Sequence, residues 1–327
     1  MTRAHILGTG SYVPEKVLTN HDLSKIVDTS DEWIVERTGI RERHMAAPHE
    51  ATSDMAVAAG LRALEMAKTR PEELDAIIMA TITPDTPMPA CAALVAHKLG
   101  AKKAFGFDLA AACAGSLYGL SIASQYIQTG GAKRVLVLGA ELLTRIVDWT
   151  DRNTCVLFGD AAGAMVIGPS PDPSRGVLST HLHIDGAGAG ILQIPAGGSR
   201  EPVTADIIAQ RLNKVAMNGR EVYKFAVRSL TDAVNEALAH NHLEASAVTH
   251  VLAHQANIRI LEAVLGRVGI PMEKAWLNIH RFGNTSSASL PMTCDEANRA
   301  GRLKEGDHIL MMAIGAGMAW GSAVVRW

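Results

Sequence analysis

AFGFDLAAACAGSLYGLSIA, Ala104 to Ala123, carries one charge, Asp108, in twenty residues. Apolar length of this kind suits a membrane span, but Gly106, Gly115 and Gly119 interrupt it and no second such stretch exists in the chain. The pattern predicts instead a short strand, Ala104 to Phe107, entering a helix that is apolar on every side and therefore packed in protein. Cys113 sits where the strand ends and the helix begins. A thiol there feels the positive end of the helix dipole, which favours the nucleophilic thiolate. A small sulfur among alanines is equally an ordinary buried apolar side chain, and this stretch alone leaves both readings open.

Outward from it, the chain is long enough, at 327 residues, for two domains or one doubled unit. With 48% hydrophobic residues but only 4% aromatic ones, the core is expected to be packed by Ala, Val, Ile, Leu and Met. A formal charge of −2 argues against general nucleic-acid or anionic-membrane binding, which needs a basic surplus. Cys91, Cys113, Cys155 and Cys294 show no CxxC spacing and no disulfide framework. A reducing, cytoplasmic compartment follows, and the N-terminal apolar run is too short for a secretory signal.

A faint internal repeat organises the chain. At an offset of 174 residues, Leu64 falls on Leu238, Asp75–Ala80 on Thr249–His254, Cys113–Ala114 on Ser287–Ala288, and Arg134–Ala140 on His308–Ile314. Gly163–Ile167 then matches Gly321–Val325, so the first copy carries about sixteen extra residues. The expected halves are 1–172 and 173–327, with an insertion at about 141–157. Within each, β-branched or Leu-rich runs alternate with amphipathic stretches. This predicts α/β layers built on two related mixed sheets, with an active site where the halves meet.

GTGSYV (Gly8–Val13) imitates a dinucleotide fingerprint, but Pro14 forbids the helix that must follow. In TSDEWIVERTGIRERH, Thr29 or Ser30 caps a helix on which Trp33 and Arg37 share a face. A ring beside a guanidinium suits stacking on a base and pairing with a phosphate; a half-buried Trp with a solvated Arg is the plainer alternative. WTDRNT supplies Arg152, and Asp160 in VLFGDAAGA reads as structural. Arg211, Lys214, Arg220, Lys224 and Arg228 face Glu221 alone. Arg220, Lys224 and Arg228 stack like charges on one helical face, a destabilising arrangement that hints at an acidic partner. His250 and His254 lie along one strand without a third ligand, which argues against zinc. Cys113, His254 and Asn284 are each expected at the end of a strand, brought to one seam. A carboxamide in place of a carboxylate suits holding an oxyanion or enolate rather than sharpening a hydrolytic base.

Taken together, FDLAAACAGS, FGDAAGA, HQANIRI, GNTSSASLP and AGMAWGSAVVRW, preceded by DTSDEWIVERTGIRERH, closely resemble the β-ketoacyl-[acyl-carrier-protein] synthase III family over essentially the whole chain. The resemblance implies a thiolase fold, two pseudo-symmetric halves layered α-β-α-β-α, in a homodimer. It implies that Cys113 takes an acyl group from acyl-CoA. His254 and Asn284 would then hold malonyl-acyl-carrier protein as carbon dioxide leaves, and the Cys113 and Ala316 amides would form the oxyanion hole. Trp33 and Arg152 would sandwich the adenine of coenzyme A, with Thr29 and Arg37 nearby and Gly219 and Asn257 along the pantetheine tunnel. Lys224 and Arg259, with Arg220 and Arg228 of the same patch, would dock acyl-carrier protein. No cofactor beyond these substrates is implied. A thiolase would need a second Cys in GAGMAWG, and elongating synthases use a second His where Asn284 stands.

Three positions depart from many relatives. Ser116 and Ile314 replace Phe, and Met88 replaces the Phe that bounds the acyl pocket across the dimer. Smaller or more flexible side chains there imply a roomier acyl pocket. The leading expectation is an initiating condensing enzyme of fatty-acid synthesis. The alternative is a pathway-dedicated homologue that primes, joins or transfers acyl chains in polyketide-like metabolism. A non-catalytic scaffold would be expected to lose Cys113, and a hydrolase lacks a carboxylate beside His254 in sequence.

Overall fold

The computed structural model describes residues 2–327. Nine strands form the two principal sheets: β1 (Ala4–Tyr12), β2 (Ala76–Ala80), β3 (Phe105–Leu109), β4 (Val135–Glu141), β5 (Ala161–Pro169), β6 (Gly176–Ile184), β7 (His250–Ala253), β8 (His308–Gly315) and β9 (Ala319–Arg326). The first sheet runs β1-β5-β4-β2-β3 and the second β6-β9-β8-β7. In both, two antiparallel pairings precede a parallel one. The place of β3 in the second sheet is taken by a single parallel bridge, Val251 to Ala275. Ala76 and His250, the first residues of β2 and β7, are 174 positions apart, as the repeat requires.

The helices that matter are α1 (Asp31–Thr38), α2 (Thr52–Met66), α3 (Cys91–Leu99), α4 (Gly115–Thr129), the one-turn α5 (Arg152–Cys155), α6 (Gly219–His240), α7 (Ile258–Val268), the one-turn α8 (Ile279–Phe282) and α9 (Ser289–Arg299). The strands are apolar on both faces because both are covered. Ile77, Met79, Leu136 and Leu138 pack outward on α2 and α3. Alternate residues Ile78 and Val137 point inward to Leu117, Leu120 and Ala123 of α4 and Leu290 and Cys294 of α9. Leu252, Met311 and Ala323 of the second sheet meet the same two helices from the other side, and α6 and α7 cover its outer face. Five layers result, with α4 and α9 as the shared middle. Helix α4 is buried over its first turns and half-exposed at Tyr118, Ser121 and Ile122, so protein surrounds it only in part. Strand β3 runs two residues past the expected end. No helix among the described residues is long and apolar enough to cross a membrane.

Between β4 and β5 the chain makes a long excursion carrying Trp149 and α5, whereas β8 turns directly into β9. The excursion is the extra segment of the first copy, and it ends against the second half. Asn284 N–H donates to Leu157 O (2.8 Å), and Gly159 N–H donates to Asn284 O (3.0 Å).

Candidate active site

The two symmetry-related turns, Ala112–Ala114 and Ser286–Ala288, are both short 3-10 turns feeding α4 and α9. Each contains a non-glycine residue at positive φ, Ala112 at 44° and Ser286 at 51°. They face each other at the seam. A Cβ on Gly139 of β4 would fall 2.1 Å from Ser287 O, and one on Gly315 of β8 would fall 2.5 Å from Cys113 N. Only glycine at these two points lets the strands carry the opposite turn so closely.

Cys113, His254 and Asn284 are all buried, at 8%, 4% and 6% exposure, and all three meet Ser286. The Ser286 N–H donates to Asn284 Oδ1 (2.9 Å). The Ser286 hydroxyl faces the Cys113 thiol and favours its ionisation. A main-chain group of Ser286 favours the protonated His254 ring, which only an acceptor, its carbonyl, does. With Oδ1 occupied by a donor, the Asn284 amide hydrogens are what remain for a ligand. His254 follows β7 directly, as expected, whereas Asn284 departs from expectation. It follows α8 and Gly283 and belongs to no strand, holding a single bridge to Phe158.

Both ionisable groups are neutral at rest. Burial drives His254 down to about 3, against the opposing Ser286 carbonyl. Burial also pushes Cys113 up to about 12, with the Ser286 hydroxyl opposing and the Glu141 charge adding to the rise. The helix start expected to favour a thiolate is in place. In a site this dry, desolvation of the sulfur outweighs the roughly half charge of a helix terminus.

Buried polar atoms without a partner are uncommon in folded chains. Among the described residues they include Thr29 Oγ1, Ser116 Oγ and His254 Nδ1, all on expected site residues. Of the remaining acyl-pocket positions, Ile314 is buried at the end of β8 and Met88 is 86% exposed. Ala316 lies in the β8–β9 turn beyond Gly315.

Trp33 on α1 lies under two guanidinium groups, Arg37 at 4.9 Å and Arg152 at 4.8 Å from the ring centroid. Ser30, not Thr29, caps α1, accepting from Trp33 N–H (3.2 Å). Arg152 Nη1 donates to Asp28 O (2.9 Å). Asn257 caps α7 and donates through Nδ2 to Arg37 O (3.0 Å), so it also ties α7 to α1. Gly219 begins α6, and only Met217 lies near the Cβ position there.

The basic patch is smaller than its sequence suggests. Arg211 is taken by Asp148 and Thr150, Lys214 by Arg145 O (2.8 Å), and Lys224 pairs with Glu221 (2.9 Å). Arg220, Arg228 and Arg259 are exposed without an ion pair among the described residues. Asp160 is structural: its carboxylate accepts from Ala46 N–H and from Thr144 N–H and Oγ1. His250 pairs with Asp307 (3.4 Å). A surface recess of about 410 Å³ lined by Arg3, His240, His308 and Arg326 lies at the opposite end of β8 from Cys113 and shares none of these residues.

Sequence reasoning missed Glu141 and Ser286. Glu141 is wholly buried and accepts from Thr81 Oγ1, Ile82 N–H and Thr83 Oγ1 on one oxygen and from Ser286 Oγ and Ser287 Oγ on the other. The available signal was an acid closing the otherwise apolar run RVLVLGAE.

Residues 107–186 match the family described as 3-Oxoacyl-[acyl-carrier-protein (ACP)] synthase III, and residues 238–327 match its C-terminal domain. A β-ketoacyl-[acyl-carrier-protein] synthase III of Desulfitobacterium hafniense (strain DSM 10664 / DCB-2) is 51% identical over all of this chain and 98% of its own. The crystal structure of 3-oxoacyl-[acyl-carrier-protein] synthase III from Aquifex aeolicus VF5 superposes with a TM-score of 0.92 at 45% identity, covering 99% of this chain and 100% of the other. The priming β-ketosynthase of the R1128 polyketide biosynthetic pathway superposes with a TM-score of 0.91 at 36% identity, covering 99% of this chain and 97% of its own.

Proposed function

Because the chain belongs to the β-ketoacyl-[acyl-carrier-protein] synthase III family of acyl-transferring condensing enzymes, we propose that it joins an acyl-CoA primer to malonyl-acyl-carrier protein by decarboxylative condensation. The product is 3-oxoacyl-acyl-carrier protein, the first elongated intermediate of fatty-acid synthesis. The observation that carries this is the convergence of the Cys113 thiol, the His254 imidazole and the Asn284 carboxamide on one residue, Ser286.

Cys113 attacks the primer thioester and releases coenzyme A. The Cys113 and Ala316 amides hold the tetrahedral oxyanion. Malonyl thioester then enters, and His254 and Asn284 donate to its carbonyl as carbon dioxide leaves. Two neutral donors suit an enolate, because they stabilise developing charge without surrendering a proton to it. The enolate carbon attacks acyl-Cys113, and the thiolate leaves with the new carbon–carbon bond made. The Trp33 platform between Arg37 and Arg152 takes the adenine and phosphates of coenzyme A, with Thr29, Gly219 and Asn257 along the pantetheine. Arg220, Arg228 and Arg259, with Lys224, meet the acidic carrier protein.

The working unit is a homodimer. Strand β3 is an open sheet edge with Phe105 45% exposed, and the Met88 loop lies beside it, since Asp108 of β3 accepts from Cys91 and Ala92 N–H at the start of α3. Such an edge calls for a partner, and Met88 from one subunit would close the acyl pocket of the other. With Met88, Ser116 and Ile314 lining it, that pocket admits primers longer or more branched than acetyl.

Intact mass spectrometry with a panel of acyl-CoAs tests the first step. One acyl mass should add to the wild type and none to Cys113→Ala; an unacylated wild type across the panel overturns the proposal. A pathway-dedicated primer or acyl transferase is the second reading, favoured by the likeness to the R1128 priming synthase. Malonyl-dependent product release from the acyl-enzyme separates condensation from transfer.

A further inference from the structure

Arg43 is fully buried, at 0% exposure, and nothing in the condensation above uses it. Burial pulls its guanidinium down to about 10, so it stays cationic at neutral pH. All of its acceptors among the described residues are neutral amide oxygens. Nη1 donates to Leu18 O (3.1 Å) and Asn20 Oδ1 (2.8 Å), and Nη2 donates to Val156 O (2.8 Å). A cation enclosed by neutral groups costs more than an aliphatic side chain of the same length. What the aliphatic chain lacks is a rigid fork that holds two segments at once. One arm of the fork leads to α1. Asn20, whose oxygen goes to Arg43, donates through Nδ2 to Asp31 Oδ1 (2.8 Å), on the first residue of α1, and to Ile40 O (2.8 Å), just past its end. The other arm leads to α5, because Val156 is the residue that closes it. Trp33 and Arg37 stand on α1, and Arg152 opens α5. A one-turn helix has no stability of its own, so the place of Arg152 depends on what fixes the end of that turn. Ile34 of α1 and Cys155 of α5 pack in one apolar cluster with Leu18 and Val156. The stem of Arg43 is confined as well: a Cβ on Gly159 would fall 3.0 Å from Arg43 Cβ, and one on Gly283 3.4 Å from it.

We propose that Arg43 is a positioning residue of the coenzyme A site: its guanidinium joins α5 to α1 and so sets Arg152 against the Trp33 ring before the nucleotide arrives. Without the fork, the two helices are brought to that arrangement at the expense of the ligand's own binding energy. The inference rests on the reading of Trp33, Arg37 and Arg152 as the seat of the nucleotide.

The test compares two thioesters of one acyl group, the acyl-CoA of the panel above that acylates the wild type fastest and the same acyl group on pantetheine, which lacks the nucleotide. Acylation of Cys113 is followed by intact mass, and the ratio of kcat/KM for the two thioesters measures what the nucleotide contributes. Arg43→Met keeps the stem against Gly159 and Gly283 and removes the fork. Its ratio should fall by about 3- to 30-fold, the range of the cation–π contacts that it leaves unplaced. Arg43→Lys keeps the charge on a single ammonium that does not span both arms, and its ratio should fall as well. Combining Arg43→Met with Arg152→Ala should lower the ratio no further than Arg152→Ala alone, since both remove the same contact. A buried arginine that only supports the fold lowers both thioesters alike and leaves the ratio unchanged. That result overturns the proposal, as does a wild-type ratio in Arg43→Lys or additive losses in the double variant. If Arg43→Met does not fold, Asn20→Ala decides: it cuts the arm to α1 with the guanidinium in place, and it should lower the ratio too. A wild type that uses both thioesters equally overturns the reading of the nucleotide seat, a failure distinct from an unchanged ratio in the variants.

Discussion

Ala112 and Ser286 hold the same left-handed backbone conformation 174 residues apart, each as the first residue of a 3-10 turn. The duplication thus preserved a strained local geometry whose two copies now do different work. One carries Cys113, and the other carries the Ser286 N–H that Asn284 Oδ1 accepts from.

That strain is measurable. Ala112→Gly relieves the Cβ conflict of a positive φ and should stabilise by up to about 1 kcal/mol. Ala112→Val, a β-branched side chain in the same conformation, should cost roughly 2 kcal/mol or more. Denaturant unfolding of both variants reads the difference, and equal stabilities would contradict the backbone assignment.

Removing the Asn284 amide should separate the two halves of the reaction. Asn284→Ala should still acquire one acyl mass from acyl-CoA, while malonyl decarboxylation falls by about 10² or more, the scale of losing one oxyanion donor. Acyl-enzyme mass and carbon dioxide release are measured on the same preparation.

His254 couples stability to pH. Its folded-state proton affinity is depressed from 6.5 to about 3, so between those values the unfolded chain binds a proton that the folded chain refuses. Stability therefore falls on acidification through that window, by up to about 1.4 kcal/mol per unit from this group. His254→Gln should show a shallower acid limb in unfolding free energy below about pH 6, with little difference between the two proteins at pH 8.

Trp33 and Arg152 should act on binding rather than chemistry. Trp33→Ala and Arg152→Ala should raise KM for acyl-CoA by about 3- to 30-fold, the range of one or two cation–π contacts. The single-turnover acylation rate at saturation should change little.

Charge on the open strand edge should split the dimer. Phe105→Asp places a carboxylate where the apolar edge of β3 would meet its counterpart, and sedimentation should shift from dimer to monomer. Loss of activity with Cys113 alkylation intact would accompany it, because each acyl pocket would lose its Met88 wall.

Much of the layering was legible in the chain, for physical reasons. Runs such as AIIMA and RVLVLGA must be covered on both faces, and a constant offset between apolar runs survives because core spacing tolerates few insertions. The turn at Cys113 was legible because an apolar helix opening on Ala-Cys-Ala-Gly has few other placements. Asn284 was harder to place, since a single bridge to Phe158 leaves no strand pattern to read. Half of the basic patch vanished for a similar reason. Asp148, which takes Arg211, lies 63 positions away, beyond any local charge count. Glu141 and Ser286 were invisible because the bond between them joins residues 145 positions apart in the two halves, and the desolvation that reverses the expected state of Cys113 exists only after the layers close.

Strand β9 ends at Arg326, yet it lies inside its sheet, between β6 and β8. During synthesis β6 has no neighbour on that side until β9, more than a hundred residues later, has been made. The second sheet then closes in one late event, and the β8–β9 turn bearing Ala316 forms with it. Losing β9 alone would therefore strand β6 as well and leave β8, whose Gly315 lies against Cys113 N, without its neighbour.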